Sequence, residues 1–115
     1  MIDVPTARFE RLVSEAIDLI PDDLFALIDN VVFLVEEANE EEPSILGLYD
    51  GVPLTERESY GIGEFPDRIF IYRRGICAIC ESEDQVRDEV VVTVIHEVAH
   101  HFGIDDDRLH ELGWD

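Results

Sequence analysis

The sequence predicts one α+β domain over residues 1–115, and three observations predict it. Apolar residues recur at helical spacing near the N-terminal end. Three short apolar runs bounded by turn signals then occupy the middle. A long segment with helix punctuation at both ends comes after them. The length suits a single modest core.

Local signals set each element. Phe9, Leu12, Val13, Ala16, Ile17 and Ile20 share one helical face, so residues 6–20 form an amphipathic helix with Thr6 as expected N-cap and Pro21 as stop. Asp22 or Asp23 is positioned to cap a short second helix carrying Leu24, Leu27 and Ile28. VVFLV (31–35) is expected to be a buried strand, and the acidic stretch 36–43 a solvated loop. ILGLY (45–49) is a second strand ending in an Asp50-Gly51 turn, and Pro53 confines the residues after it to an edge or loop. Residues 55–67 have loop composition, RIFIY (68–72) is a third strand, and ICAIC (76–80) is expected to be a short strand or a loop.

Residues 82–102 contain a conflict, because Val90 to Ile95 (VVVTVI) are all β-branched. The punctuation decides for helix. Ser82 with Gln85 three residues on forms a capping box, and Gly103 stands where a helix needs a left-handed C-cap. Propensity costs only tenths of a kcal/mol per residue, which burial can override. Val91, Ile95, Val98 and Phe102 are expected to be the apolar face that packs on the sheet. A short final helix is expected over 107–112.

The charge balance excludes some function classes. Eight basic residues, all arginine, stand against 28 acidic ones for a net charge of −20. Such a field repels nucleic acid and acidic membranes and favours cationic partners or metal ions. No run is apolar enough to span a membrane, and the N-terminal residues lack a secretory pattern, so the cytoplasm is the expected compartment. Cys77 and Cys80 are then expected to be reduced, small, buried residues, since there is no second cysteine pair to complete a zinc site.

The chemistry concentrates in VIHEVAHHFGIDDD (94–107), which holds three of the four histidines. On a helix, His96 and His100 lie one turn apart on one face and can share a metal ion, while Glu97 sits about 100° around, within reach of a water on that metal. This is the H-E-x-x-H pattern of zinc hydrolases, with the glutamate as general base. A third ligand is required. Gly103 permits a sharp exit from the helix, after which Asp106 can return toward the histidines. Asp105, Asp107 and His110 compete with it. Asp107 makes better sense as N-cap of the final helix, Asp105 as a partner to an imidazole N–H, and His110 as a fallback ligand. His101 points away from His100 and is expected at the surface or beside the site. Tyr49, Tyr60 and Tyr72 are candidates to stabilise an oxyanion, though packing roles suit each of them better.

HEVAHHFGIDDDRL, together with LGLYDGVPLTER (46–57) and PDRIFIY (66–72), resembles the small bacterial minimal zincins, a family of zincin-like metallopeptidase domains. The resemblance implies a small mixed sheet packed on the active-site helix, His96, His100 and Asp106 as ligands of Zn²⁺, and Glu97 as the catalytic residue. The motif is also similar to that of the larger metzincins, which have histidine in place of Asp106. Metzincins carry a methionine turn under the zinc, whereas the sole methionine here is Met1. They also carry a C-terminal subdomain, whereas nine residues follow Asp106.

The reading that combines these observations is a zinc-dependent metallopeptidase acting on a peptide or protein, with a cationic segment favoured and ILGLY as an edge that could hold it. A metal-stabilised protein-binding module with little or no turnover is the alternative. An RNA-processing metallohydrolase shares the ligand spacing, but Glu97 and the negative charge argue against it.

Overall fold

Three strands form one mixed sheet in the computed structural model, which describes residues 1–56 and 65–112. Chain order is α1 (Thr6–Asp18), α2 (Asp22–Phe25), β1 (Val31–Glu36), β2 (Gly47–Asp50), a single 3-10 turn (Leu54–Glu56), β3 (Asp67–Tyr72), α3 (Arg73–Ala78), α4 (Glu83–His101) and α5 (Asp106–Leu112). The sheet order is β1-β3-β2. β3 pairs in parallel with β1 (Phe33 opposite Ile69) and antiparallel with β2 (Tyr49 opposite Ile69). The α+β class and the small mixed sheet are therefore as expected.

The centre of the sheet is its driest part. Ile69 and Ile71 on β3 are fully buried, and they meet Phe9 and Leu12 of α1 and Val86, Val90 and Val94 of α4 in one core. α1 and α4 pack against each other on that side of the sheet. The β-branched run is helical because Val90 and Val94 reach this core, which repays their weak helix propensity.

Several local expectations are corrected. Pro5, not Thr6, is the N-cap of α1: its carbonyl accepts from Phe9 N–H at 2.9 Å, and its ring presets the dihedral that leads into the helix. Pro21 takes the same place before α2; Asp22 and Asp23 lie inside its first turn, where Asp23 Oδ1 accepts from Leu24 N–H at 3.0 Å. Leu24 and Leu27 of that segment are exposed rather than packed. ICAIC is not a strand: residues 76–78 close α3 (Arg73–Ala78), which turns directly out of β3, and Ile79 and Cys80 form the turn toward α4. Its cysteines are both free and buried, as expected. β1 is not a buried strand but an edge strand whose residues alternate between partly buried and exposed.

α4 begins as the capping-box reading expects, with Ser82 Oγ accepting from Gln85 N–H at 3.2 Å. The reciprocal bond is displaced by one residue, since Gln85 Oε1 accepts from Glu81 N–H at 2.6 Å. Its buried stripe also differs from the expected one. Val86, Val90, Thr93, Glu97 and His101 face inward, while Val91, Ile95 and Phe102 are only partly covered. Two ionisable side chains therefore lie on the buried face, a placement that a hydrophobic pattern cannot reveal.

Candidate metal centre

Three residues of the 94–107 stretch converge at the C-terminal end of α4. His96 Nε2 and His100 Nε2 are 3.1 Å apart, and Asp106 Oδ1 lies 3.2 Å from the first and 3.1 Å from the second. The turn that allows this is specified locally. Gly103 has φ +88°, a left-handed conformation that favours glycine, and it closes α4 with two bonds: Ile104 N–H to Ala99 O and Gly103 N–H to His100 O, both 2.9 Å. Asp106 comes at the first position of α5, aimed back at the histidines.

The caps of α5 settle the competing aspartates. Asp105 Oδ1 accepts from Arg108 N–H at 2.9 Å, so Asp105 is the N-cap, the role expected of Asp107, and the helix begins at 106 rather than 107. Among the described residues the clustered set is His96, His100 and Asp106; His110 is not part of it.

The donor chemistry of this set fits zinc. His100 Nδ1 lies 2.9 Å from the Ile104 carbonyl, which can only accept, so Nδ1 carries the proton and Nε2 presents its lone pair. That lone pair faces a carboxylate oxygen and a second imidazole nitrogen. Zn–N bonds of about 2.0–2.1 Å at tetrahedral angles place neighbouring ligand atoms about 3.3 Å apart, close to the separations found here. Asp106 is largely exposed and the two imidazoles are partly buried, so the set is open on one side.

Glu97 lies behind this set, on the buried face, with 6% of its surface exposed. Burial pushes its carboxyl up to about 7; His100 and the Tyr49 backbone N–H oppose the rise, and Asp106 adds to it. β2 can approach Glu97 closely because residue 47 is glycine. A Cβ there would fall 2.6 Å from Thr93 Cγ2, 3.0 Å from the Phe70 carbonyl oxygen and 3.3 Å from Glu97 Cγ.

His101 is expected from the sequence at the surface or beside the site, but it is fully buried. Its Nε2 accepts from Asp29 N–H at 3.2 Å, so Nδ1 carries the proton and faces Asp67 Oδ2 at 3.2 Å. The Tyr49 hydroxyl donates to the same carboxylate oxygen and lies 3.3 Å from His101 Nδ1. Composition alone assigns Asp67 to a loop. An aspartate opening an apolar strand is a weak signal, and no local pattern connects it to a histidine 34 residues away. Of the candidate tyrosines, Tyr49 has its hydroxyl engaged in this network, Tyr72 accepts a bond from Asn39 Nδ2 at 3.1 Å, and Tyr60 lies outside the described residues.

Comparison with known proteins agrees with the fold. A conserved hypothetical protein from T. thermophilus has a similar structure, with a TM-score of 0.61 at 22% identity, covering 96% of this chain and 100% of that one. No curated protein matches the chain. The model of the family described as zincin-like metallopeptidase matches residues 28–114, which takes in the whole sheet, α4 and the clustered histidines and aspartate. The chain belongs to the zincin-like metallopeptidase family.

Proposed function

We propose that this chain is a zinc-dependent metallopeptidase in which His96, His100 and Asp106 hold the metal and Glu97 is the general base. The observation that carries the reading is the set of three potential ligand atoms 3.1–3.2 Å apart, with a buried glutamate on the residue after His96. Zinc in such a site supplies Lewis acidity, polarising a scissile carbonyl and acidifying a water.

The chain's own residues supply the rest. Glu97 takes a proton from the attacking water at its carboxylate and delivers it to the leaving amine. A buried carboxyl on the residue after a proposed ligand is placed for both transfers. The Tyr49 N–H and the close approach at Gly47 fix where that carboxylate sits. β2 is an edge strand packed against α4, so an extended peptide can add beside it and pass over the site. The surplus of acidic residues favours substrates with cationic segments.

The test is zinc content by elemental analysis, followed by hydrolysis of a broad peptide library. Wild type is expected to carry one zinc and to cleave. Glu97→Gln is expected to keep the zinc and lose about 10²–10⁴-fold in rate. Full activity in that variant would remove Glu97 as the base. Zinc binding with no cleavage of any peptide would instead favour the protein-binding module.

A further inference from the structure

β1 is where sequence and fold disagree most. Val31 to Val35 is an unbroken apolar run, the pattern of a strand covered on all sides. Yet β1 is at one edge of the sheet, with Val32 40% and Leu34 37% exposed. Edge strands are ordinarily blunted by lysine, proline, a bulge or short length. β1 has none of these: it runs six residues in unbroken register with β3, and Glu36 at its end is its only charge. The opposite edge, β2, is four residues long and includes Gly47 and Asp50.

Beside β1 lies a groove of about 380 Å³, with α1 as its other wall. Phe33, Leu34 and Val35 all line it. Successive side chains in a strand point to opposite faces; Phe33 and Val35 pack toward the core and Leu34 is exposed on the other face, so the groove follows the strand between them. α1 contributes Glu10, Ser14 and Ile17, which recur at helical spacing along one side. Among the described residues β1 pairs only with β3, and an unpaired main-chain edge beside a groove of mixed apolar and polar lining with Glu10 on its wall has the parts that strand addition uses.

We propose that this groove takes an extended segment of a partner protein bearing arginine or lysine, which pairs with β1 as a fourth strand. Charge selects this guest over a second copy of the chain. Two copies would each bring a net charge of −20 to the contact, whereas a basic segment is drawn to Glu10 and Glu36. The site is separate from the candidate metal centre, because β1 and β2 occupy opposite edges of the sheet and a guest on β1 leaves β2 free.

The probe is a fluorescein-labelled seven-residue peptide alternating valine with arginine. Its controls are the same peptide with glutamate for arginine, and an arginine peptide of equal charge whose central residues are proline. The first peptide is expected to bind in fluorescence anisotropy and to slow amide hydrogen exchange within Val31–Glu36 but not within Gly47–Asp50. Glu10→Arg and Leu34→Lys, both at exposed positions, should each weaken binding about tenfold while circular dichroism stays unchanged. The proposal is overturned by equal binding of the proline peptide, by protection confined to Gly47–Asp50, or by failure of the first peptide to bind. Self-association that Leu34→Lys abolishes in sedimentation would overturn it as well.

Discussion

His100 and His101 are adjacent in the chain and meet opposite fates. His100 is partly exposed, and its Nε2 faces another imidazole nitrogen and a carboxylate oxygen, both potential metal ligands. His101 is fully buried, and each of its nitrogens meets a group of complementary character, Asp29 N–H on one side and the Asp67 carboxylate on the other. Satisfied polar clusters of the second kind hold a fold together. A convergence of potential ligand atoms, as in the first kind, is the arrangement that a metal ion would complete. The contrast separates structural from functional polarity at a spacing of one residue.

Removing the centre of the buried network puts this distinction under the greatest strain. Asp67→Ala leaves His101 and the Tyr49 hydroxyl without their shared acceptor, and it should cost about 3 kcal/mol in urea unfolding. His100→Ala, measured in chelator, should cost no more than about 1 kcal/mol, yet abolish zinc binding in elemental analysis. If both variants unfold alike and His100→Ala still retains zinc, the distinction collapses. Gly47→Val tests the join between the two regions. The added methyls must displace Thr93 or the Phe70 carbonyl, so a loss of about 2 kcal/mol is expected, with β2 shifted away from Glu97.

The smallest effect belongs to polar contacts at the surface. Glu37 receives two bonds from Arg73, at 2.7 and 3.0 Å, which hold its carboxyl below the usual glutamate range. A depressed folded-state value gives stability that is present above the unfolded value and is lost as pH falls through the folded one. Glu37→Gln should therefore flatten the acid side of the stability–pH curve slightly, while changing neither zinc content nor the response to Asp67→Ala. Because the Glu37 carboxylate is half exposed, only a small change is expected in thermal melts between about pH 5 and 3.

These regions also differ in how far the sequence disclosed them. The convergence of His96, His100 and Asp106 was legible because its parts are local: the four-residue spacing, the glycine and the returning aspartate all lie within one helix and its exit. The capped ends of α4 were legible for the same reason, and they correctly overruled its β-branched run. The buried network was not legible. It joins residues 29, 49, 67 and 101, which only tertiary structure brings together, and its histidine continues a buried stripe on which hydrophobic patterning looks for aliphatic side chains. β1 misled for a related reason. An apolar run reports that a strand is suited to cover, without reporting whether this chain provides it.

The local turn at Gly103 has a thermodynamic consequence. His96, His100 and Asp106 fall within eleven consecutive residues, and the bond that sets the His100 tautomer comes from Ile104 inside the same span. An unfolded chain can therefore bring all three ligands to a cation by closing one short loop, at small entropic cost. If zinc binds the proposed set, any zinc held by the unfolded ensemble subtracts from the stabilisation it gives the native state. Added zinc should accordingly raise the melting temperature less than its native-state affinity alone implies. The environment of Glu97 has no such shortcut, since it depends on Gly47 and Tyr49, far upstream in the chain. On the proposed reading, metal capture can precede folding, whereas positioning of Glu97 must wait for it.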